Sequence, residues 1–218
     1  MTDEGFTPLD ILAMYWPSVI MYDKQKEMIM SVRESNETYV VAANEMGKDY
    51  VSGFISLSFF MFPEVYFTPQ YVQSIEDAAN LQNLSGRLRH TRRIVTNSVR
   101  ADHLGVLWAE IAKFRQMCIS PEIDNILLTD LEIRFKDEVV KDGTRPNNYL
   151  VGIVSDKAAG LAGHHGNYTL GVVDEASGSE NEVHEEMQGW AKRKLIFGNP
   201  RPCNNFFKTN YRMGMLKV

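Results

Sequence analysis

AANEMGKDY, residues 42–50, stands between the apolar run TYVVAAN and the apolar segment YVSGFISLSFFMF. A polar, glycine-containing turn between a buried strand and a long helix lets backbone N–H groups and a helix N-terminus converge on phosphate. The usual phosphate loop reads GxxxxGK[ST], and here Ala42, Gly47, Lys48 and Asp49 fill its four defined places. Gly47 and Lys48 match. Ala42 departs mildly, since it asks only that the backbone avoid a left-handed turn. Asp49 departs more, because a hydroxyl in that place ligates Mg²⁺, although a carboxylate is also a hard oxygen ligand for that ion. The same residues also fit a Gly-Lys turn capping an ordinary helix, with Asp49 favoured near the N-terminus by the helix dipole.

A second stretch bears on the choice. LGVVDEA, residues 170–176, is an apolar strand that ends in Asp174 and Glu175. Such a strand sets one carboxylate near a metal and the next where it can orient and deprotonate water. On this reading Asp174 holds Mg²⁺ through water and Glu175 is the base. A strand running into a solvated loop looks the same in isolation. Loop and acid pair together, each after a buried strand and in the right chain order, point to a nucleoside triphosphatase.

The rest of the chain is consistent with an α/β fold. TPLDILAMYWPSVIMYDKQKEMIMSVRES has helix-like apolar spacing broken at Pro17, which predicts two helices. EVYFTPQYVQ reads as irregular or strand-like, and SIEDAANLQNLSGRLRH as a helix ending near Gly86. RRIVTNS is a short strand, followed by an amphipathic helix through Leu104, Leu107, Trp108, Ile111 and Phe114. NILLTDLEIRF and NNYLVGIVS read as two strands separated by the turn KDGTRPNN, and KLIFGNP as a final strand after a helix-like piece. Strands alternating with helices imply a mostly parallel sheet covered on both faces.

With 218 residues, the chain suits one large domain rather than two. A formal charge of −5 argues against passive coating of nucleic acid, although GRLRHTRR (86–93) and AKRK (191–194) concentrate positive charge. Cys118 and Cys203 form no metal-binding pattern, which fits a reduced cytosolic setting, and His90, His103 and His184 are too scattered to suggest one. The longest apolar run, VSGFISLSFFMF, has 12 residues and is too short to span a bilayer.

Taken together, YDKQ, AANEMGKD, RIVTNSVRADHLGVLWAEI, LGVVDEA and FGNP resemble the ATPase half of the large terminase subunit of tailed phages, a DNA-packaging motor. The resemblance covers roughly residues 15–210, and implies a P-loop NTPase fold of the additional-strand, catalytic-glutamate (ASCE) type. It implies one ATPase domain over 1–218: an adenine-side helical segment over about 1–35, a P-loop core over 36–210 and a candidate insertion over about 60–90. The chain stops at RMGMLKV, so the C-terminal nuclease domain of the family is expected to be absent.

The resemblance assigns Tyr22 and Gln25 to adenine, by ring stacking and amide pairing, although Gln25 also suits an exposed helix position. It assigns Ala43, Asn44, Glu45, Met46, Gly47, Lys48, Asp49 and Tyr50 to the phosphate loop, Asp49 and Asp174 to Mg²⁺, Glu175 to catalysis and Asn199 to a coupling motif. ATP and Mg²⁺ are the implied cofactors. The implied partners are double-stranded DNA, a portal protein, a small terminase subunit and further copies in a ring. A monomer is expected in isolation, away from membranes, in the host cytoplasm.

Two features depart from the family. Residues 43–46 lack the arginine that many relatives carry there, and GLAGHHGNY holds His164 and His165 where relatives often place one. A protonated histidine substitutes weakly for a guanidinium, so an arginine finger must come from elsewhere. Arg100, Arg145, Arg201, Arg212 and a neighbouring subunit are the candidates. A helicase-like translocase and a nucleotide-binding assembly module without hydrolysis remain as alternatives. Against the first stands the lack of an arginine-rich motif after the acidic strand, and against the second the retention of Lys48 and Glu175.

Overall fold

The computed structural model describes residues 5–41, 47–138, 145–158, 160–211 and 216–217. Phosphate-loop residues 42–46, including Ala43, Asn44, Glu45 and Met46, lie outside the described residues, as do Arg212 and residues 141–144 of the KDGTRPNN turn.

The N-terminal segment forms the two expected helices, α1 (Pro8–Tyr15) and α2 (Asp23–Glu34). Thr7 caps α1 in a reciprocal box with Asp10, satisfying donors that a helix start leaves free. Strand β1 (Glu37–Val41) precedes, and α3 (Lys48–Met61) follows, the segment read in the sequence as the phosphate loop. Every residue of α3 from Val51 to Met61 is buried, which explains a helix without a polar face. It passes close to the next long helix: a Cβ on Gly53 would lie 2.8 Å from Glu110 Cβ and 3.1 Å from backbone atoms.

Residues read as irregular or strand-like turn out otherwise. A 3₁₀ turn over Pro63–Tyr66 is followed by helix α4 (Pro69–Leu81), whose N-cap Thr68 accepts a hydrogen bond from the Tyr71 amide. Thr68-Pro69 is therefore a helix start, with Pro at the first position where its missing N–H costs nothing. The helix also ends at Leu81, short of Gly86.

Strand β2 (Arg92–Ser98) and helix α5 (Ala101–Met117) fall where expected. NILLTDLEIRF is a hairpin of two strands, β3 (Ile126–Leu128) and β4 (Glu132–Phe135), closed by the Thr129 amide on Glu132 O at 2.9 Å. The remaining elements are β5 (Tyr149–Val154), β6 (Tyr168–Asp174), α6 (Asn181–Gln188), β7 (Arg193–Gly198), α7 (Phe206–Tyr211) and β8 (Leu216–Lys217).

Among the described residues the eight strands form one sheet in the order β3-β4-β5-β2-β6-β7-β1-β8. β3, β4 and β5 pair antiparallel, and the other neighbours are parallel. β7 lies between the phosphate-loop strand β1 and the acidic strand β6, and is the additional strand that the ASCE class is named for.

Alternate strand residues feed two cores. Val40, Ile94, Leu150, Leu170, Val172, Leu195 and Phe197 pack beneath α1, α2, α3 and α5. Tyr39, Val95, Val151, Val173 and Ile196 pack against α6, Trp190 and α7. No helix among the described residues is long and apolar enough to cross a membrane.

Both basic clusters are largely consumed inside the fold. Arg87 pairs with Asp137, Arg89 and His90 pair with Glu76, and Arg92 donates to Phe60 O and Met61 O beside Glu64. Lys192 reaches Tyr71, Arg193 donates to Tyr66 O and Asn36, and Lys194 pairs with Glu37. His184 joins Tyr39 and Glu37 in the same buried network, a structural role.

Candidate functional site

Three strand ends converge at the C-terminal edge of the sheet. β1 ends just ahead of the candidate phosphate-loop segment, β6 delivers Asp174 and Glu175, and between them β7 delivers Asn199. Lys48, the first residue of α3, is 7 % exposed, Asp174 1 % and Glu175 6 %.

Lys48 Nζ lies 3.3 Å from Asp174 Oδ1, 3.4 Å from Asp49 Oδ1 and 3.5 Å from Glu175 Oε1. It also sits 5.1 Å from the centre of the Phe197 ring, an apolar floor that keeps the ammonium desolvated. Burial alone would disfavour the charged amine, but Asp174, then Asp49 and Glu175, outweigh it and hold the Lys48 pKa above its ordinary value. Burial pushes the Asp174 carboxyl up to about 6, with Asp49 and Glu175 adding repulsion and Lys48 opposing the rise.

Glu175 has a left-handed backbone, φ 53° and ψ 43°. A non-glycine residue held there is strained, and such strain concentrates at functional sites. Two contacts fix the turn. Asn199 Nδ2 donates to Glu175 Oε1 at 2.8 Å, and Asn205 Nδ2 donates to Ala176 O at 2.8 Å and Ser179 O at 2.7 Å. With Oε1 also facing Lys48, Oε2 is the oxygen left for other work. Asn199 Oδ1 is buried without a hydrogen-bond partner, as is the hydroxyl of Ser98, which stands level with Asp174 on the adjacent strand.

On the other side, Gly47 takes φ 74°, the left-handed conformation that favours glycine. A Cβ there would lie 2.7 Å from Gln25 Nε2 and 3.8 Å from Tyr22 Oη. Gln25 is buried rather than exposed, and its Oε1 accepts from the Tyr22 amide at 3.2 Å. The structure thus brings Tyr22 and Gln25 to the glycine of the loop. Tyr50 differs: its ring packs on Phe114 at 4.6 Å beneath Lys113, which leaves its backbone amide as the group available to the loop.

The residues present fit Mg²⁺ with a nucleotide. Three carboxylates and one ammonium leave the cluster with a formal charge of −2, the complement of a divalent cation, and Asp49 and Asp174 are hard oxygen donors.

The candidate arginines separate clearly. Arg100 is exposed and forked onto Asp102 at 2.7 and 2.9 Å. Arg145 and the GLAGHHG loop stand by Tyr149, the first residue of β5, level with Thr169 of β6. At ~3.3 Å per strand residue, that is roughly 16 Å below Asp174. His164 is buried there, held by Tyr149 and Gly160 O, and burial lowers its pKa, so it offers no cation to this chain's own site. Arg201, beside Asn199, lines a cavity of about 340 Å³ with Val41 and Lys208.

Sequence reading missed Asn205 and Ser98. An asparagine just ahead of a helix and a serine at a strand end are common for local reasons, and only their neighbours in space set them apart.

The fold, with its additional strand between a phosphate-loop strand and an acidic strand, is that of a P-loop NTPase of the ASCE type. Among solved structures it is similar to the large terminase ATPase domain of Thermus phage P74-26. The TM-score is 0.64 at 13 % identity, covering 96 % of this chain and 76 % of that one, and a substitution variant of that domain gives the same values. The large terminase of bacteriophage HK97 aligns with TM-score 0.54 at 12 % identity, over 84 % of this chain and 34 % of that one. The resemblance read from the motifs is thus met by the fold. Scans of protein-family models and of curated proteins return no match.

Proposed function

We propose that this chain is the ATP-hydrolysing unit of a DNA-packaging motor, acting as the ATPase part of a large terminase subunit. One observation carries the reading: the Lys48 ammonium faces Asp49, Asp174 and Glu175 at 3.3 to 3.5 Å, while Asn199 holds the same Glu175 oxygen. This is a phosphate-binding cation set against a metal-side acid and an oriented base.

On binding of nucleotide, Lys48 exchanges its carboxylate partners for phosphate oxygens, and Gln25 and Tyr22 meet the base near Gly47. Asp49 and Asp174 would hold Mg²⁺, which supplies charge neutralisation at the phosphates. Glu175 Oε2 orients a water and takes its proton, while Asn199 keeps the carboxylate in position through Oε1. A change at Glu175 is felt by Asn199 and Asn205, both of which lead into α7. Double-stranded DNA, a portal protein, a small terminase subunit and a ring of further copies, in a host cytoplasm, are the partners and setting of this proposal.

The experiment is Mg-dependent ATP hydrolysis by the parent, Lys48→Ala and Glu175→Gln, with nucleotide binding measured alongside. Lys48→Ala should lose binding. Glu175→Gln should keep binding and lose about 10²-fold or more in kcat, the typical worth of a positioned general base. A Glu175→Gln protein that turns over like the parent sinks the reading.

A further inference from the structure

At the end of the sheet away from Asp174, a cavity of about 350 Å³ is lined by Arg93, Arg145, Tyr149, His164, Gly160 and Gly163, with no carboxylate lining it among the described residues. Both guanidiniums approach the same ring, Arg93 at 5.7 Å and Arg145 at 5.8 Å from the Tyr149 centroid. Two like charges gathered on one ring repel each other and gain from a shared counter-charge.

Among the described residues, the acids just ahead of this segment are already engaged. Asp137 pairs with Arg87, and Glu138 accepts from the Asn147 and Asn148 amides and from the Asn148 side chain. Arg93 donates through Nε to Asn147 O at 3.4 Å, both arginines hydrogen-bond the Tyr149 hydroxyl, and among the described residues neither has an acid partner.

The floor is also arranged as a donor surface. Gly160 O can only accept, so the His164 Nε2 facing it at 3.0 Å carries the proton. His164 Nδ1 is then the acceptor for the Tyr149 hydroxyl at 2.6 Å. That arrangement leaves the Tyr149 oxygen open to accept from the arginines. Gly160 and Gly163, at φ 82° and 81°, turn the chain around the rim in conformations that favour glycine.

We infer that this pocket is an oxyanion site that takes a phosphate group between the planar forks of Arg93 and Arg145. Guanidinium forks match phosphate geometry bidentately, unlike a single ammonium. The phosphate could come from a nucleic-acid backbone or from a free phosphate ion, and the site is independent of the nucleotide cluster at the opposite sheet end.

The test uses the full chain carrying Lys48→Ala, so that phosphate is not read at the phosphate loop. Fluorescence anisotropy follows a labelled DNA duplex, and amide NMR shifts of residues 160–164 follow titrated inorganic phosphate. Each is repeated with Arg93→Gln, Arg145→Gln and Arg145→Lys, with Arg100→Gln as a control. If the backbone is the source, each Gln variant weakens duplex binding about threefold or more and reduces the salt slope by roughly 0.9 per lost phosphate contact, while Arg100→Gln does not. Saturable phosphate shifts that vanish in the Gln variants, with duplex binding unchanged, identify free phosphate. Gln variants that fold normally and match the parent in both measurements overturn the inference.

Discussion

Asp174 shows how a single side chain trades stability for chemistry. Its carboxyl is raised from the ordinary value near 4 to about 6, first by burial. The fold therefore favours the protonated form. The stability this group contributes is fully present below about pH 4 and is lost as pH rises through about 6. At about 1.4 kcal/mol for each pH unit of displacement, the buried charge costs roughly 1 to 3 kcal/mol at neutral pH. Asp174→Asn should accordingly raise the unfolding free energy by that amount at pH 8 without Mg²⁺ or nucleotide, and converge with the parent near pH 4. Chemical denaturation at the two pH values checks this. Under the proposed function, hydrolysis should be lost at both, since an amide is a poor replacement for a metal-side carboxylate. Equal stability of variant and parent at pH 8 would mean that Lys48 fully compensates the burial.

At the scale of elements, the geometry depends on β7 separating β1 from β6. That insertion places Asn199 against Glu175, and it puts the start of α7 under the turn that carries Glu175. Gly198 permits this approach: a Cβ there would meet Phe207 at 3.2 Å and the Ala176 amide nitrogen at 3.3 Å. Asn205 then holds the carbonyls of Ala176 and Ser179. Removing its amide leaves the buried Ser179 carbonyl without that donor and Ala176 O with only the Ser179 amide, and frees the strained Glu175 backbone to relax. Asn205→Ala should lower kcat about tenfold while leaving nucleotide affinity within about twofold, because it touches the base's position and not the phosphate loop. Steady-state kinetics together with nucleotide titration reads the split. A parallel loss of affinity would show that the residue supports the whole site instead.

For the whole molecule, the arginines place the nucleotide cluster and the Arg93/Arg145 pocket at opposite ends of one sheet. Arg100 is tied to Asp102, and Arg145 lies about five strand residues below Asp174. Under the proposed function, Arg201 and another copy are then the sources of a cation for the developing phosphate charge that stand beside Arg212, which lies outside the described residues. Under the proposed function, turnover per subunit should rise with protein concentration if a neighbour completes the site, because closed rings put sites at subunit interfaces. Turnover independent of concentration, combined with its loss in Arg201→Ala, would assign the role within the chain.

The extent to which the sequence disclosed this molecule follows from the range of the forces involved. β1, β6 and β7, the long α3 and α5, and the positions of Lys48, Asp174, Glu175 and Asn199 at element ends were legible because each depends on a local pattern. A buried parallel strand is an unbroken apolar run, and its polar terminus marks the sheet edge. The start of α4 was legible in principle, since Thr68-Pro69 is a capping signal, but the aromatic residues around it resembled a strand. Other features were decided only by the tertiary structure: Gln25 against Gly47, Asn205 under the Glu175 turn, the engagement of most of GRLRHTRR and AKRK by acids and carbonyls elsewhere in the chain, and the meeting of Arg93 and Arg145 on one ring. Hydrogen bonds and charge pairs act over a few ångströms whatever the separation in sequence, so what a polar side chain does is fixed by its neighbours in space, which folding alone selects.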